Sequence, residues 1–295
     1  MVDMDPLELY RWAVQDPETH AEVLRIMYLC QNPGRPAVVL REDFAGTCAD
    51  SVAWVALREG RRAVAVDLDG PTIAWARQRA ERILGGRAKD VEFIVGDVLD
   101  VGPPRTPRAD IIAALNFSVF YFRDRETLHR YFKHAGECLA PRGLLVLNLF
   151  GGADAMQPRT TTRTVTPTPR LPNEEPVPPF EYIWEERSYD PGSAAMDSRI
   201  HFRVPDSASP GGYREIRDAF RYDWRLWPIE ELIGELHAAG FDDVEVWRHT
   251  YDAAEGGEGL FLGPVPLSEL AALDYWTAYL LASRTTTEAG VGPGR

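Results

Sequence analysis

Four polar clusters, each following an apolar run, hold the residues of this chain best suited to chemistry. After 37–40 comes Arg41-Glu42-Asp43-Phe44-Ala45-Gly46-Thr47-Cys48, and after 63–66 comes Asp67-Leu68-Asp69. After 91–95 comes Gly96-Asp97-Val98, and after 111–115 comes Asn116-Phe117-Ser118. In an open α/β sheet a ligand sits beyond the carboxyl ends of the strands, where the strand order reverses. Acids at three such ends suit a ligand with a cationic amine, a ribose diol and an adenine amino group. They oppose a phosphate-rich ligand.

The elements that must carry these clusters are legible as a rhythm. Short apolar runs at 37–40, 63–66, 91–95, 111–115 and 144–150 alternate with helical stretches at 49–57, 71–84 and 124–139. Pro71 opens one helix and Gly85-Gly86 closes it, which is the usual placement of proline and glycine at helix ends. Strands alternating with helices predict βαβ units and a parallel sheet covered on both faces. Leu7, Tyr10 and Val14 recur at helical spacing, so the N-terminal stretch to about Cys30 reads as a helical cap interrupted at Asp16-Pro17. Beyond Gly151 the rhythm breaks. A Pro/Thr-rich stretch runs to Pro179 and reads as a long loop, with 157–179 expected to order over substrate. The aromatic and β-branched segments 180–189, 198–204 and 213–227 then read as an antiparallel meander. A helix from Pro228 stopped by Gly240, and strands at 244–247 and 275–282, return to the main sheet. The expected organisation is a cap (1–35), a core (36–150), an inserted loop and meander covering substrate (151–227), a completion of the core (228–284) and a flexible tail (285–295).

Composition excludes several partners. The net charge is −13 at pH 7, whereas a protein that grips a phosphate backbone needs a positive footprint. Nucleic acid is not an expected partner. No apolar run approaches the roughly 18 residues of a membrane span, and the first residues lack a basic start and an apolar core. Cys30, Cys48 and Cys138 are scattered and odd in number. They fit three free thiols in a reducing cytoplasm better than a disulfide framework or a metal knuckle.

The four clusters, in this order and at βα spacing, resemble the class I S-adenosylmethionine (SAM)-dependent methyltransferases over about 38–149, with 228–282 as returning elements. The resemblance implies a seven-stranded, mostly parallel Rossmann-like α/β sheet with helices on both faces and an inserted antiparallel β-meander. It implies SAM as cofactor, S-adenosylhomocysteine as product, and N- or O-methylation of a small-molecule acceptor. By the family pattern, Glu42, Phe44, Ala45, Gly46 and Thr47 form the first motif, with Glu42 and the Gly46 backbone facing the methionine part. Asp67, followed by Leu68, takes the ribose hydroxyls. Asp97 holds the adenine amine and Val98 supplies a backbone N–H. Asn116-Phe117-Ser118 lies between cofactor and acceptor. Phe44 and Cys48 stand where the family's turn has glycines, and a subset of the family has a similar Arg-Glu-Asp-Phe-x-Gly-Thr turn.

Two alternatives stand beside this reading: a nicotinamide-dependent oxidoreductase, and a non-catalytic SAM-binding module, dimerising through the insert. The first needs a Gly-x-Gly-x-x-Gly turn after strand one, which the chain lacks there. Arg41 can bind the SAM carboxylate or pair with Asp43, and Tyr10 can reach the same carboxylate while its ring packs. Phe180, Tyr182 and Trp184, like Phe220, Tyr222 and Trp224, share one face of the meander by alternation. These faces either line a pocket over the sulfonium or pack on the core. Arg199, His201, Arg203, Arg217 and Arg221 fall on the other face, which is either a solvated face paired with Glu181, Glu185 and Asp223 or a site for an acidic substrate. His201 is the first candidate for a base, with Tyr121 and Tyr222 behind it.

Overall fold

The computed structural model describes residues 4–209, 211–251 and 260–284. The expected fraying of 285–295 lies outside the described residues. Two helices, α1 (Pro6–Val14) and α2 (Pro17–Gln31), precede the core. Each has a proline at its first turn, and the Asp5 carboxylate caps α1 by accepting from the Leu7 amide at 2.9 Å.

The core then alternates as expected: β1 (Val39–Asp43), α3 (Ala49–Ala56), β2 (Arg62–Asp67), α4 (Gly70–Leu84), β3 (Val91–Val95), β4 (Ala109–Ala114), α5 (Arg125–Cys138) and β5 (Leu139–Gly151). Every residue of β1 and β4 is buried, because helices cover both faces of the sheet. The insert carries β6 (Arg159–Val165), β7 (Phe180–Asp190), β8 (Ala195–Pro205) and β9 (Tyr213–Arg225). These form a separate antiparallel sheet in the order β6-β7-β8-β9. The chain closes with α6 (Ile229–Ala238), β10 (Asp243–Tyr251), β11 (Leu260–Pro264), α7 (Leu267–Ala271) and β12 (Trp276–Ser283).

The main sheet runs β11-β10-β12-β5-β4-β1-β2-β3. From β3 to β5 neighbouring strands are parallel, whereas β12 is antiparallel to both β5 and β10. Seven of these strands are the expected ones, and β11 adds an eighth at the edge. The structure also corrects the reading of 157–179 as a loop throughout. The run Thr160-Thr161-Thr162-Arg163-Thr164-Val165 pairs with β7, because threonine and valine fit a pleated surface and β7 offers an edge. The order reverses between β1 and β4, so the crevice for a ligand opens beyond their carboxyl ends.

Candidate functional site

The turn after β1 shapes this crevice. Phe44, Gly46 and Cys48 all lie in the left-handed region, at φ 55°, 48° and 55°. Two of them are not glycine, and each costs on the order of 1 kcal/mol in backbone strain. Burial of the Cys48 side chain in a cluster with Ala65, Ile73 and Ala76 offsets part of that cost. The Asp67 carboxylate braces the turn from β2, accepting from the Gly46 amide at 2.7 Å and the Asp69 amide at 2.9 Å. At the end of β3, Asp97 accepts from the Leu99 amide at 2.9 Å.

Arg41 and Glu42 do not reach the crevice. Arg41 is buried, donates from Nε to Asp43 at 2.6 Å, and donates to the Val101 and Val98 carbonyls at 2.5 and 3.2 Å. The Tyr131 hydroxyl donates to the other Asp43 oxygen at 3.0 Å. Alternation along β1 turns Arg41 and Asp43 to one face, beneath the loop after β3. Glu42 points to the other face and accepts from the Ser51 amide in the first turn of α3 at 2.7 Å. Burial, and then the charge of Asp50, push its carboxyl well above the usual range.

A cavity of about 540 Å³ fills the crevice. Ala45, Gly46 and Thr47 line it from the first turn, Asp67 and Leu68 from the second, and Asp97 and Val98 from the third. Asn116, Ser118 and Tyr121 line it beyond β4, while Tyr10 and Gln15 reach it from the cap and Phe220 and Tyr222 from the insert. The Thr47 hydroxyl donates to the Gln15 side chain, tying the cap to the first turn. Leu68 is 70% exposed, leaving an apolar surface beside the acids. Sequence reasoning missed Gln15 and Leu99 in this wall, since cap and loop residues have no strand-end signature, and Arg221, expected on the face away from Phe220 and Tyr222, lines the cavity beside them.

A second chamber of about 220 Å³ shares Tyr10, Asn116 and Tyr222 with the first. Its other walls include Phe117, Phe150, Tyr182, Trp184, Trp224 and Tyr275. The aromatic face of the meander thus lines a pocket. The sequence pointed to Trp184 and Trp224 through alternation, but Arg159 and Thr161 escaped notice inside the supposed loop. Asn116 and Phe117 are both left-handed, at φ 54° and 62°. Phe117 is held by donating its amide to the Asn148 side chain at 2.8 Å. The Ser118 hydroxyl donates to the Leu115 carbonyl at 2.5 Å. Burial pushes Tyr121 up to about 12 and raises Tyr10 and Tyr222 as well, so all three hydroxyls stay protonated near neutrality.

His201 lies in neither wall. It sits on the opposite face of the meander, with Nε2 2.9 Å from Glu185 and Nδ1 accepting from the Asp218 amide at 2.8 Å. The register places His201 opposite Ile183, one residue out of step with Trp184, and in a strand one step is the other face. Glu185, His201 and Asp218 have ligating atoms within 4.8 Å of one another. Arg187 already pairs with both acids, at 2.8 and 2.9 Å.

No protein-family model matches the chain, and no curated protein matches it. Solved structures do. A SAM-dependent methyltransferase from Clostridium acetobutylicum is 14% identical with a TM-score of 0.60, over 94% of this chain and 96% of that one. An amino pentose methyltransferase from Micromonospora echinaspora, solved with SAM bound and involved in calicheamicin biosynthesis, is 18% identical with a TM-score of 0.63, over 94% and 95%. A sugar N-methyltransferase from Streptoalloteichus is 19% identical with a TM-score of 0.61, over 94% and 91%. This chain has the SAM-dependent methyltransferase fold. Its sheet differs from a dinucleotide-binding one, which runs parallel in the order 3-2-1-4-5-6, whereas here the antiparallel β12 lies between β5 and β10. Among the described residues, no helix is long and apolar enough to cross a membrane.

Proposed function

We propose that the protein is a SAM-dependent methyltransferase that methylates a small-molecule amine. The observation that carries this is the meeting of two chambers across Tyr10, Asn116 and Tyr222, one lined by strand-end acids and the other by aromatic rings. The donor set fits SAM. Asp67 retains lone pairs for the ribose hydroxyls beyond its two backbone contacts. Asp97 and the Val98 amide suit the adenine edge, against Leu68. With Arg41 buried beneath the site, the methionine end falls to the turn at 45–47 and to the Tyr10 hydroxyl.

SAM, when bound, supplies a methyl group already activated on a sulfonium. The chain's own part is to hold the acceptor atom in line at about 3–3.5 Å and to exclude water. Asn116 and the protonated Tyr10 and Tyr222 hydroxyls can orient a lone pair. None is a base near neutrality, and the described lining of the second chamber contains no carboxylate and no imidazole. A hydroxyl nucleophile would need a base, whereas a neutral amine attacks without one. The likeness to a sugar N-methyltransferase supports the same choice. The three cysteines are free, in keeping with action in a reducing cytoplasm.

The test is calorimetric titration of the ligand-free protein with S-adenosylhomocysteine, with NAD as control. Micromolar binding of the homocysteine compound, lost in Asp67→Ala and Asp97→Ala variants that melt like wild type, is the expected result. Tighter binding of NAD, or no binding of either, overturns the proposal.

A further inference from the structure

The polar end of the second chamber points to the acceptor's chemical class. Arg159 is the only charged side chain in the described lining of this chamber. It sits at the start of β6, directly opposite Glu186 in the β6–β7 register. Glu186 is buried and accepts from Arg159 Nε. The guanidinium also stacks over the Tyr275 ring, 4.7 Å from its centroid. Two independent contacts therefore fix the side chain before any ligand arrives. Both leave the terminal nitrogens free, and these make no hydrogen bond to the described residues. A guanidinium held this way presents two parallel N–H donors, the geometry that a carboxylate takes bidentately.

We propose that the acceptor amine carries a carboxylate at the end remote from the methylated nitrogen, and that Arg159 receives it. This rests on the methyl-transfer reading above and adds the acceptor's far end to it. The body between the two ends is flat or apolar, because Trp184, Trp224 and Phe117 form the walls there. It is also compact, since about 220 Å³ lies below the roughly 300–1,000 Å³ typical of sites for larger ligands. A cationic far end would face a fixed guanidinium with no acid in the described lining to receive it. Glu186 acts as a positioning residue, with its carboxylate behind the arginine.

Two isosteric probes test this: phenylacetate and phenylacetamide. Each is titrated into the full chain with and without saturating S-adenosylhomocysteine and followed by tryptophan fluorescence and calorimetry. The expected result is that phenylacetate binds about tenfold more tightly than the amide. That preference should vanish in Arg159→Gln and be partly kept in Arg159→Lys. Equal or tighter binding of the amide overturns the proposal, as does failure of both to bind or persistence of the preference in Arg159→Gln. Should Arg159→Gln not fold, the probe ratio in wild type alone decides. The same samples report S-adenosylhomocysteine binding. Cofactor binding without an acid preference removes this inference and leaves methyl transfer standing. An acid preference without cofactor binding removes methyl transfer and keeps the carboxylate site.

Discussion

Arg41 lies near the end of strand one of a ligand-binding sheet and has two plausible partners, a ligand carboxylate and Asp43. Burial decides between them. Its guanidinium lies under the site, with Asp43 and two loop carbonyls as partners. Removing one member of a buried ion pair strands the other and costs about 3–5 kcal/mol. Arg41→Met should therefore lower the melting temperature by roughly 6–20 °C at 2–4 °C per kcal/mol. S-adenosylhomocysteine affinity of the folded variant should stay within about twofold of wild type. Normal melting with a large loss of affinity would place Arg41 at the ligand instead. Phe44 and Cys48 make a related point. Neither is glycine, yet the backbone there is left-handed, with Cys48 buried and the Phe44 ring packed against Phe122 and Tyr131.

At the scale of elements, the segment between β6 and β7 is tied to the cap. Glu174 is buried between Arg11 of α1 and Arg79 of α4, 2.7 Å from the latter, and accepts from the amides of Arg170 and Leu171 at 3.0 and 3.1 Å. Leu171 packs in a buried cluster with Val52, Ala53, Ala80 and Ile83, and Arg163 donates to the Ala13 carbonyl. The segment thus straps down the helix that brings Tyr10 to the cavity. Glu174→Gln removes the counter-charge that two buried cations share, leaving Arg11 only Glu18 at 4.0 Å, and should populate an open cap. Apparent affinity falls in proportion to the closed fraction. The expected outcome is an S-adenosylhomocysteine dissociation constant raised about tenfold, with faster tryptic cleavage at Arg170. Unchanged affinity and unchanged cleavage would show that the strap does not govern the cap.

For the whole molecule, stability should depend on pH through buried groups with raised pKa values. Burial and Asp50 raise Glu42. Burial pushes His20 down, but the Asp50 carboxylate 2.9 Å away outweighs it and leaves the imidazole raised. Each group binds more protons when folded than when unfolded. Its stabilisation is present in full below the unfolded pKa and is lost as pH rises through the folded one. The slope reaches about 1.4 kcal/mol per pH unit per group. Melting temperature should then fall as pH rises above about 4.5 through Glu42 and above about 6.5 through His20. Glu42→Gln should flatten the acidic part of that fall and His20→Gln the part nearer neutrality, both readable by calorimetry in matched ionic strength. A melting temperature that rises with pH over this window would refute the assignment.

The succession of strands and helices in the core, the acids at the strand ends and the aromatic face of the meander were legible from the sequence, because hydrophobic period and turn residues are local properties. Asp67 and Asp97 needed only their place after an apolar run. What lay beyond reach depended on which face a residue takes or on partners far along the chain. Arg41 and Glu42 are neighbours of Asp43 that turn to opposite sides of β1. His201 is one step from the pocket face. Arg159 hid in a Pro/Thr-rich stretch whose strand exists only because β7 offers an edge. The sequence by itself determined the sheet and the acids at its crevice, through periodicities of two and 3.6 residues. Only the tertiary structure decided which of those residues face a cavity, and joined Tyr10, Asn116 and Tyr222 between two chambers, since packing between distant segments chooses the exposed face.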